Sequence, residues 1–271
     1  MDDLLSYSSY MKSPYRSIKH TTYFTAYDDL FCRYKGREIT FVEIGVLGGG
    51  SLFMWRDFFG DKARIIGVDF NPNAKKWESA GFEIFIGSQS DEKFWSKFIN
   101  TVGPIDIVLD DGGHTYKQQI ITAEKLLGNI KDGGMLVVED THTSYLNGFG
   151  YKKYSFIEYV KKFADKINQR FGYLDGNSDA RVWSIQIYES IVAFHINKNF
   201  SNLKSEPTDN GAIDDSAQDF RYADNSVMSA YYKAIKKFNF LKHIPGARWI
   251  RDKVLVSLSA IKGSEGTKKY F

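Results

Sequence analysis

The stretch Asp106-Ile107-Val108-Leu109-Asp110-Asp111-Gly112-Gly113-His114 decides how the chain is read. A short apolar run bounded by turn residues has the signature of a central parallel strand, buried on both faces. Two carboxylates, two glycines and a histidine follow at its carboxyl end, where open α/β sheets hold their ligands. The arrangement recurs in Met135-Leu136-Val137-Val138, followed by Glu139-Asp140-Thr141-His142. As parallel neighbours, the two strands bring Asp110, Asp111, His114, Glu139, Asp140 and His142 to one rim. Carboxylates crowded together suit a hard divalent cation, and an imidazole beside them suits a base.

Outward from this pair, strands and helices alternate. Residues 40–45, 63–69 and 83–88 read as strands; 52–59, 92–100, 116–130 and 154–171 read as helices, with a short one near 74–79. Residues 181–188 and 190–196 read as two strands meeting at a tight connection. The alternation predicts an α/β, Rossmann-like domain over residues 38–197, with a mostly parallel sheet, helices on both faces and an antiparallel edge strand. Residues 1–37 form an N-terminal cap segment, loose at first and helical over about 23–34, which covers the ligand crevice or packs on the sheet edge. Residues 198–227, rich in Asn, Ser, Asp and Lys, read as a linker or loop. Residues 228–271 read as basic amphipathic helices: Met228, Tyr231, Tyr232, Ile235, Phe238 and Leu241 sit at helical spacing, and a second piece covers 247–261.

The 271 residues, 43% of them hydrophobic, are enough for one α/β domain with additions. The single cysteine, Cys32, excludes an internal disulfide framework and a Cys-based zinc site, and suits a reducing compartment. No signal-peptide pattern opens the sequence, and no run approaches the roughly 18 apolar residues of a membrane span. These features predict a soluble, cytoplasmic protein. Charge is uneven: from Tyr231 onward ten Lys and Arg stand against Asp252 and Glu265, so this end carries +8 of a net +3 and the first 230 residues carry −5. The basic end fits a peripheral contact with the anionic inner face of a membrane, a homo-oligomer contact, or a packed cap with a solvated Lys face. No nucleic-acid motif accompanies the charge, and the acidic body argues against such a partner.

The turn after the first strand selects the cofactor. Strand, glycine-rich turn and helix make a nucleotide-binding start. The dinucleotide pattern G-x-G-x-x-G fails, because Leu47 stands two residues after Gly45. Instead Glu43 ends the strand, followed by Gly45 and then Gly48-Gly49-Gly50, with Ser51 at the helix start. An acid there suits a ligand amine better than a pyrophosphate. Asp69, 26 residues after Glu43, ends the next strand, where it can accept from both ribose hydroxyls.

These residues resemble the class I S-adenosylmethionine-dependent methyltransferases over roughly residues 41–196. The resemblance implies that Glu43 contacts the methionine portion, that Gly45 and Gly49 line the cofactor beside Ser51, and that Asp69 holds the ribose. Ser88 and Gln89 correspond to the adenine-side loop. Asp110 is grouped with the cofactor residues, although at a strand end it also reads as a carboxylate satisfied by the backbone. Leu47 departs from the commonest glycine pattern of the superfamily. The two acidic motifs together are similar to the Mg²⁺-dependent sugar O-methyltransferases of macrolide biosynthesis (tylosin and mycinamicin type) and to the cephalosporin hydroxylase-like group. That likeness implies Asp111, Glu139 and Asp140 as Mg²⁺ ligands, His114 as general base and His142 as an aid to substrate positioning.

The chemistry is coherent. A sugar hydroxyl is a poor nucleophile at neutral pH, and a divalent cation with a nearby base makes it a better one. The expected activity is methyl transfer from S-adenosylmethionine to a hydroxyl of a sugar or glycan-containing acceptor. Competing structural readings treat Asp111 as a turn former before Gly-Gly and Glu139-Asp140 as a helix-capping pair. His195, in an apolar strand, reads as structural; His20 and His243 carry no context. Two other functions stay open: a metal-dependent oxygenase or hydroxylase using His114, His142 and Asp111, and a non-catalytic cofactor-binding partner.

Overall fold

The computed structural model describes residues 3–171, 179–212 and 226–237, with single positions at 220, 246, 249, 250, 253, 254, 256, 257 and 270. The chain divides into two compact units, Met1–Glu206 and Pro207–Phe271. The first contains strands β1 (Thr40–Ile44), β2 (Arg64–Asp69), β3 (Glu83–Ile86), β4 (Ile105–Asp110), β5 (Ile130–Val138), β6 (Ser184–Tyr188) and β7 (Ile191–His195). They form one sheet in the order β3-β2-β1-β4-β5-β7-β6. The first five are parallel, and β7 runs antiparallel between β5 and β6. This is the mixed, Rossmann-like sheet that the alternation predicts.

Helices α1 (Leu5–Lys12), α2 (Tyr23–Phe31), α3 (Gly50–Phe59), α4 (Glu92–Val102), α5 (Tyr116–Leu126) and α6 (Phe156–Gln169) surround it. Side chains of a strand alternate between faces, and the two cores follow that parity. Phe41, Ile107, Leu109, Met135 and Val137 join α2 and α3 in one apolar cluster. Val42, Ile44, Val108, Leu136 and Val138 join α4, α5 and α6 in the other. The first cluster is strongly aromatic: Trp55 is fully buried and meets the rings of Tyr27, Phe31, Phe41, Phe58 and Phe59.

The order of the sheet reverses between β1 and β4, the switch point where ligands bind in open α/β folds. Register carries the acids there. Asp111 N donates to Ile44 O at 2.9 Å and Glu139 N to Asp110 O at 2.9 Å, so the residues just past β1, β4 and β5 stand side by side.

The N-terminal segment departs from expectation. Its first part is the helix α1, whose free N–H groups at Leu5 and Ser6 donate to the two Asp28 oxygens of α2 at 2.7 and 2.8 Å. A cap supplied from 22 residues away leaves no local sequence signal. α1 also ties to α3 through Ser9 Oγ and Lys12 Nζ, 2.7 and 3.1 Å from Asp57 Oδ2. Residues Pro72–Ala80 form a 3₁₀ segment, and β5 starts at Ile130, earlier than the apolar run suggests. Beyond the sheet lies a one-turn helix, α7 (Lys198–Ser201). In the second unit a helix, α8, spans Ser226–Lys237; Phe238, Leu241 and His243 lie outside the described residues, as does much of 247–261. Among the described residues no helix is long and apolar enough to cross a membrane.

Trp55→Ala removes the centre of the aromatic cluster and a buried hydrogen bond to Glu43. The expected loss is about 3–5 kcal/mol, by analogy with large-to-small core substitutions, read as a lower urea midpoint at unchanged slope.

Candidate active site

The switch point opens into a cleft of about 590 Å³, within the range of small-molecule sites. Gly45, Leu47, Asp69, Asn71, Ser88 and Gln89 line one part of it, and Asp111, Gly112, Gly113, His114 and Asp140 line the rest; Ile18 of the N-terminal segment also borders it.

On the first side, Gly45 has φ 92°, and a Cβ there would lie 2.0 Å from the Asp111 carbonyl oxygen, so only glycine lets β1 end this close to β4. Asp69 lines the cleft and also fastens the turn: Oδ2 accepts from Val46 N and Leu47 N at 2.8 and 3.0 Å, and Oδ1 from Asn71 N at 2.8 Å. Carboxylate oxygens retain acceptor capacity beyond those bonds. Ser88 borders the cleft while its Oγ accepts from Ser90 N at 3.2 Å. Gln89 holds the next turn in shape: Nε2 donates to Asp110 Oδ1 at 2.7 Å, and Oε1 accepts from Gly113 N at 2.9 Å.

Four residues expected at the cofactor, Glu43, Gly49, Ser51 and Asp110, do not line the cleft. Glu43 shares the parity of Phe41 and so faces α3, where its buried carboxylate accepts from Ser51 Oγ at 2.8 Å and Trp55 Nε1 at 3.0 Å. Ser51 is thereby committed to Glu43. Gly49 has φ 80° and packs against Trp77, whose ring a Cβ would meet at 2.2 Å. Asp110 has the opposite parity, is buried against Gln89 and accepts from Gly112 N at 3.2 Å through Oδ1. Its Oδ2 has no partner. Burial pushes the carboxyls of Glu43 and Asp110 each up to about 7.

The acidic side gathers Asp111, His114 and Asp140, with ligand atoms all within 4.8 Å of one another. His114 Nε2 is 3.3 Å from Asp140 Oδ2 and 3.9 Å from Asp111 Oδ1. Its Nδ1 is buried without a partner. Two carboxylates with an imidazole at the third corner fit a divalent cation that favours oxygen. Glu139, the third expected ligand, follows the parity of Val137 and turns toward α2. It accepts from Tyr27 Oη at 2.5 Å and from Lys19 Nζ at 3.0 and 3.2 Å. Burial pushes its carboxyl upward against the pull of Lys19. For Lys19 burial works downward, yet Asp111 and Glu139 outweigh it and hold the ammonium well above its ordinary value. His142 does not border the cleft; its Nδ1 lies 2.6 Å from Ser190 Oγ and 3.9 Å from Asp140 Oδ1.

Sequence reasoning passed over Lys19, His20, Tyr23, Tyr27 and Ser190. Tyr23 Oη bonds Asp140, and Ser190 Oγ lies 3.0 Å from it. His20 Nε2 stands 3.9 Å from Asp140 Oδ1. The one local signal was the i, i+4 spacing of Tyr23 and Tyr27, which puts both hydroxyls on one helix face. Strain marks the same place. Among the described residues the non-glycine residues with positive φ are Leu47, His114, Asp140 and Ser190, at 45°, 57°, 54° and 62°. The first three border the cleft and the fourth bonds His142. Such outliers persist where surrounding structure holds them, commonly at functional sites. Leu47 therefore keeps a backbone shape that glycine adopts more easily.

Residues 42–141 of this unit, from β1 through the acidic rim, match the family described as Methyltransferase domain. Among curated proteins, the chain is 36% identical over 135 residues to the 8-demethyl-8-alpha-L-rhamnosyl tetracenomycin-C 2'-O-methyltransferase of Streptomyces olivaceus, covering 47% of this chain and 35% of that one. It is 29% identical over 234 residues to the mycinamicin VI 2''-O-methyltransferase of Micromonospora griseorubida, covering 78% and 54%. Among solved structures it is similar to the MycE methyltransferase of the mycinamycin biosynthetic pathway in complex with Mg and SAH, with a TM-score of 0.64, 26% identity, and 76% of this chain and 57% of that one covered. The chain thus spans about a third to somewhat over half the length of these relatives.

Because burial raises the Glu43 carboxyl from its ordinary 4.5 to about 7, the fold favours its neutral form. Its contribution to stability is complete below about pH 4.5 and is lost as pH rises through 7. Glu43→Gln should flatten urea stability between pH 5 and 7.5 by on the order of 1–3 kcal/mol relative to the parent. Parallel pH profiles in the two proteins would contradict this.

Proposed function

We propose that this chain is an S-adenosylmethionine- and Mg²⁺-dependent O-methyltransferase acting on a hydroxyl of a sugar-containing acceptor. One observation carries the reading: the glycine turn with Asp69 and the Asp111–His114–Asp140 cluster border the same cleft. Cofactor and cation would therefore meet at one acceptor atom. The named relatives add support, being O-methyltransferases of glycosylated antibiotics, one of them solved with Mg and SAH and with mycinamycin VI.

When bound, the cofactor supplies an electrophilic methyl group and the cation lowers the pKa of a hydroxyl set against it. The remaining work falls to the chain. Gly45, Ser88 and Gln89 shape the cofactor end, and Asp69 offers the ribose an acceptor already held by three backbone donors. Asp111 and Asp140 would hold the cation, joined by Glu139 if Lys19 releases it. His114 would take the acceptor proton at Nε2 once Asp140 turns to the cation and leaves that nitrogen free; the strained backbone at His114 holds the ring at the cleft. The donor set opposes the oxygenase alternative. A non-haem iron site takes two histidines and one carboxylate, whereas here one histidine meets two carboxylates and His142 is turned to Ser190.

Calorimetric titration with S-adenosylhomocysteine should give micromolar binding that Asp69→Ala weakens at least tenfold. With S-adenosylmethionine, Mg²⁺ and a panel of deoxysugar-bearing acceptors, His114→Ala should lower turnover by about 10²–10⁴-fold while binding S-adenosylhomocysteine like the parent. Absence of S-adenosylhomocysteine binding would remove the reading, and full activity in the His114 variant would remove the base.

A further inference from the structure

Lys19 stands inside the acidic rim, yet nothing in the reaction above employs it. Its Nζ lies 2.6 Å from Asp111 Oδ2 and 3.0 and 3.2 Å from the two Glu139 oxygens, and its side chain is only 2% exposed. These are carboxylates on which a divalent cation would draw. An ammonium and a divalent ion cannot share those oxygens at such distances without strong mutual repulsion. We propose that Lys19 is an internal competitor for the cation: it occupies the Asp111–Glu139 pair until Glu139 joins Asp111 and Asp140 around the ion, and then withdraws. The inference rests on the metal-assisted reading above and adds a residue of this chain that governs access to the metal.

The segment around Lys19 is built to allow withdrawal. Residues 13–17 are pinned: Ser13 Oγ donates to Gly50 O at 2.7 Å, Ser17 O accepts from Tyr10 Oη at 3.0 Å, and the Tyr15 ring packs on Phe53 and Trp77. From Tyr23 onward α2 is locked in the aromatic core. Between these anchors the chain has no regular structure at residues 17–20. Ile18 borders the cleft and is 67% exposed, and the His20 side chain is equally open. Lys19 is thus the deeply buried tie of an otherwise exposed bridge. Releasing it exposes the residue and frees the bridge beside the cleft, so cation binding and the opening of this edge become one equilibrium.

The test uses Mn²⁺ as the probe ion, without cofactor. Mn²⁺ binding is measured by calorimetry and electron paramagnetic resonance on the full chain, Lys19→Met and Lys19→Arg. In parallel, tryptic cleavage after Lys19 is followed by mass spectrometry in the parent protein with and without Mn²⁺. Lys19→Met should bind Mn²⁺ at least tenfold more tightly than the parent, Lys19→Arg no more tightly, and Mn²⁺ should speed cleavage after Lys19 severalfold. Loss of a nearby positive charge alone would raise affinity but would leave cleavage after Lys19 in the parent independent of Mn²⁺. Equal or weaker Mn²⁺ binding in Lys19→Met, or a Lys19 bond that stays protected at saturating Mn²⁺, overturns the competition while leaving the metal-assisted reading intact. If Lys19→Met does not fold, the cleavage result on the parent decides alone. Failure of Mn²⁺ to bind any of the three proteins overturns both readings.

Discussion

Three carboxylates at the ends of two adjacent parallel strands repel one another, and much of the first unit is arranged to hold them. The hydrogen-bond register of β1, β4 and β5 fixes the crowding, since Asp111 pairs with Ile44 and Glu139 with Asp110. Burial sharpens the repulsion, because charges in a low-dielectric environment interact more strongly than in water. The compensation comes from one stretch of chain. Lys19 bridges Asp111 and Glu139, Tyr27 bonds Glu139, and Tyr23 bonds Asp140. The N-terminal segment is therefore part of the site. Its own order depends on the Asp28 cap of α1 and on the aromatic packing of α2 against Trp55 and Phe41.

Carboxylates in this chain divide by strand parity. Glu43 and Asp110 lie within strands and point into opposite layers, where hydrogen bonds from Ser51, Trp55 and Gln89 absorb them. Asp111 and Asp140 lie one or two residues beyond a strand end, where the backbone turns and the side chain meets the cleft. A shift of one residue separates a carboxylate that braces the scaffold from one that faces a ligand. The braces still matter to the site: Glu43 anchors the helix that follows the glycine turn, and Asp110 with Gln89 shapes the Gly112–Gly113 turn beneath His114.

The strained backbone at Leu47, His114, Asp140 and Ser190 belongs to the same economy of space. Each sits where the chain must turn sharply to present a group at the rim. The bonds around them hold these shapes: Asp69 accepts from Val46 and Leu47, and Thr143 Oγ1 donates to the carbonyls of Asp140 and His114 at 2.8 and 3.2 Å. Side chains held this way lose little freedom on binding a ligand, which favours preorganised sites.

The layered α/β fold, the parallel core and the position of the site were legible in the sequence, because apolar runs and the polar clusters at their ends are local patterns. Gly45, Asp69, Asp111, His114 and Asp140 emerged on the cleft for that reason. What local pattern does not carry is direction. Whether Glu43 faces a cofactor or a tryptophan depends on which helix covers that side of β1. A separation of 92 positions between Lys19 and Asp111 hides their contact altogether, as the distance between Asp28 and Leu5 hides the cap on α1. Periodicity and turn chemistry settled the elements and the rim; tertiary packing alone chose the counter-charge, because an ion pair is selected by proximity in space.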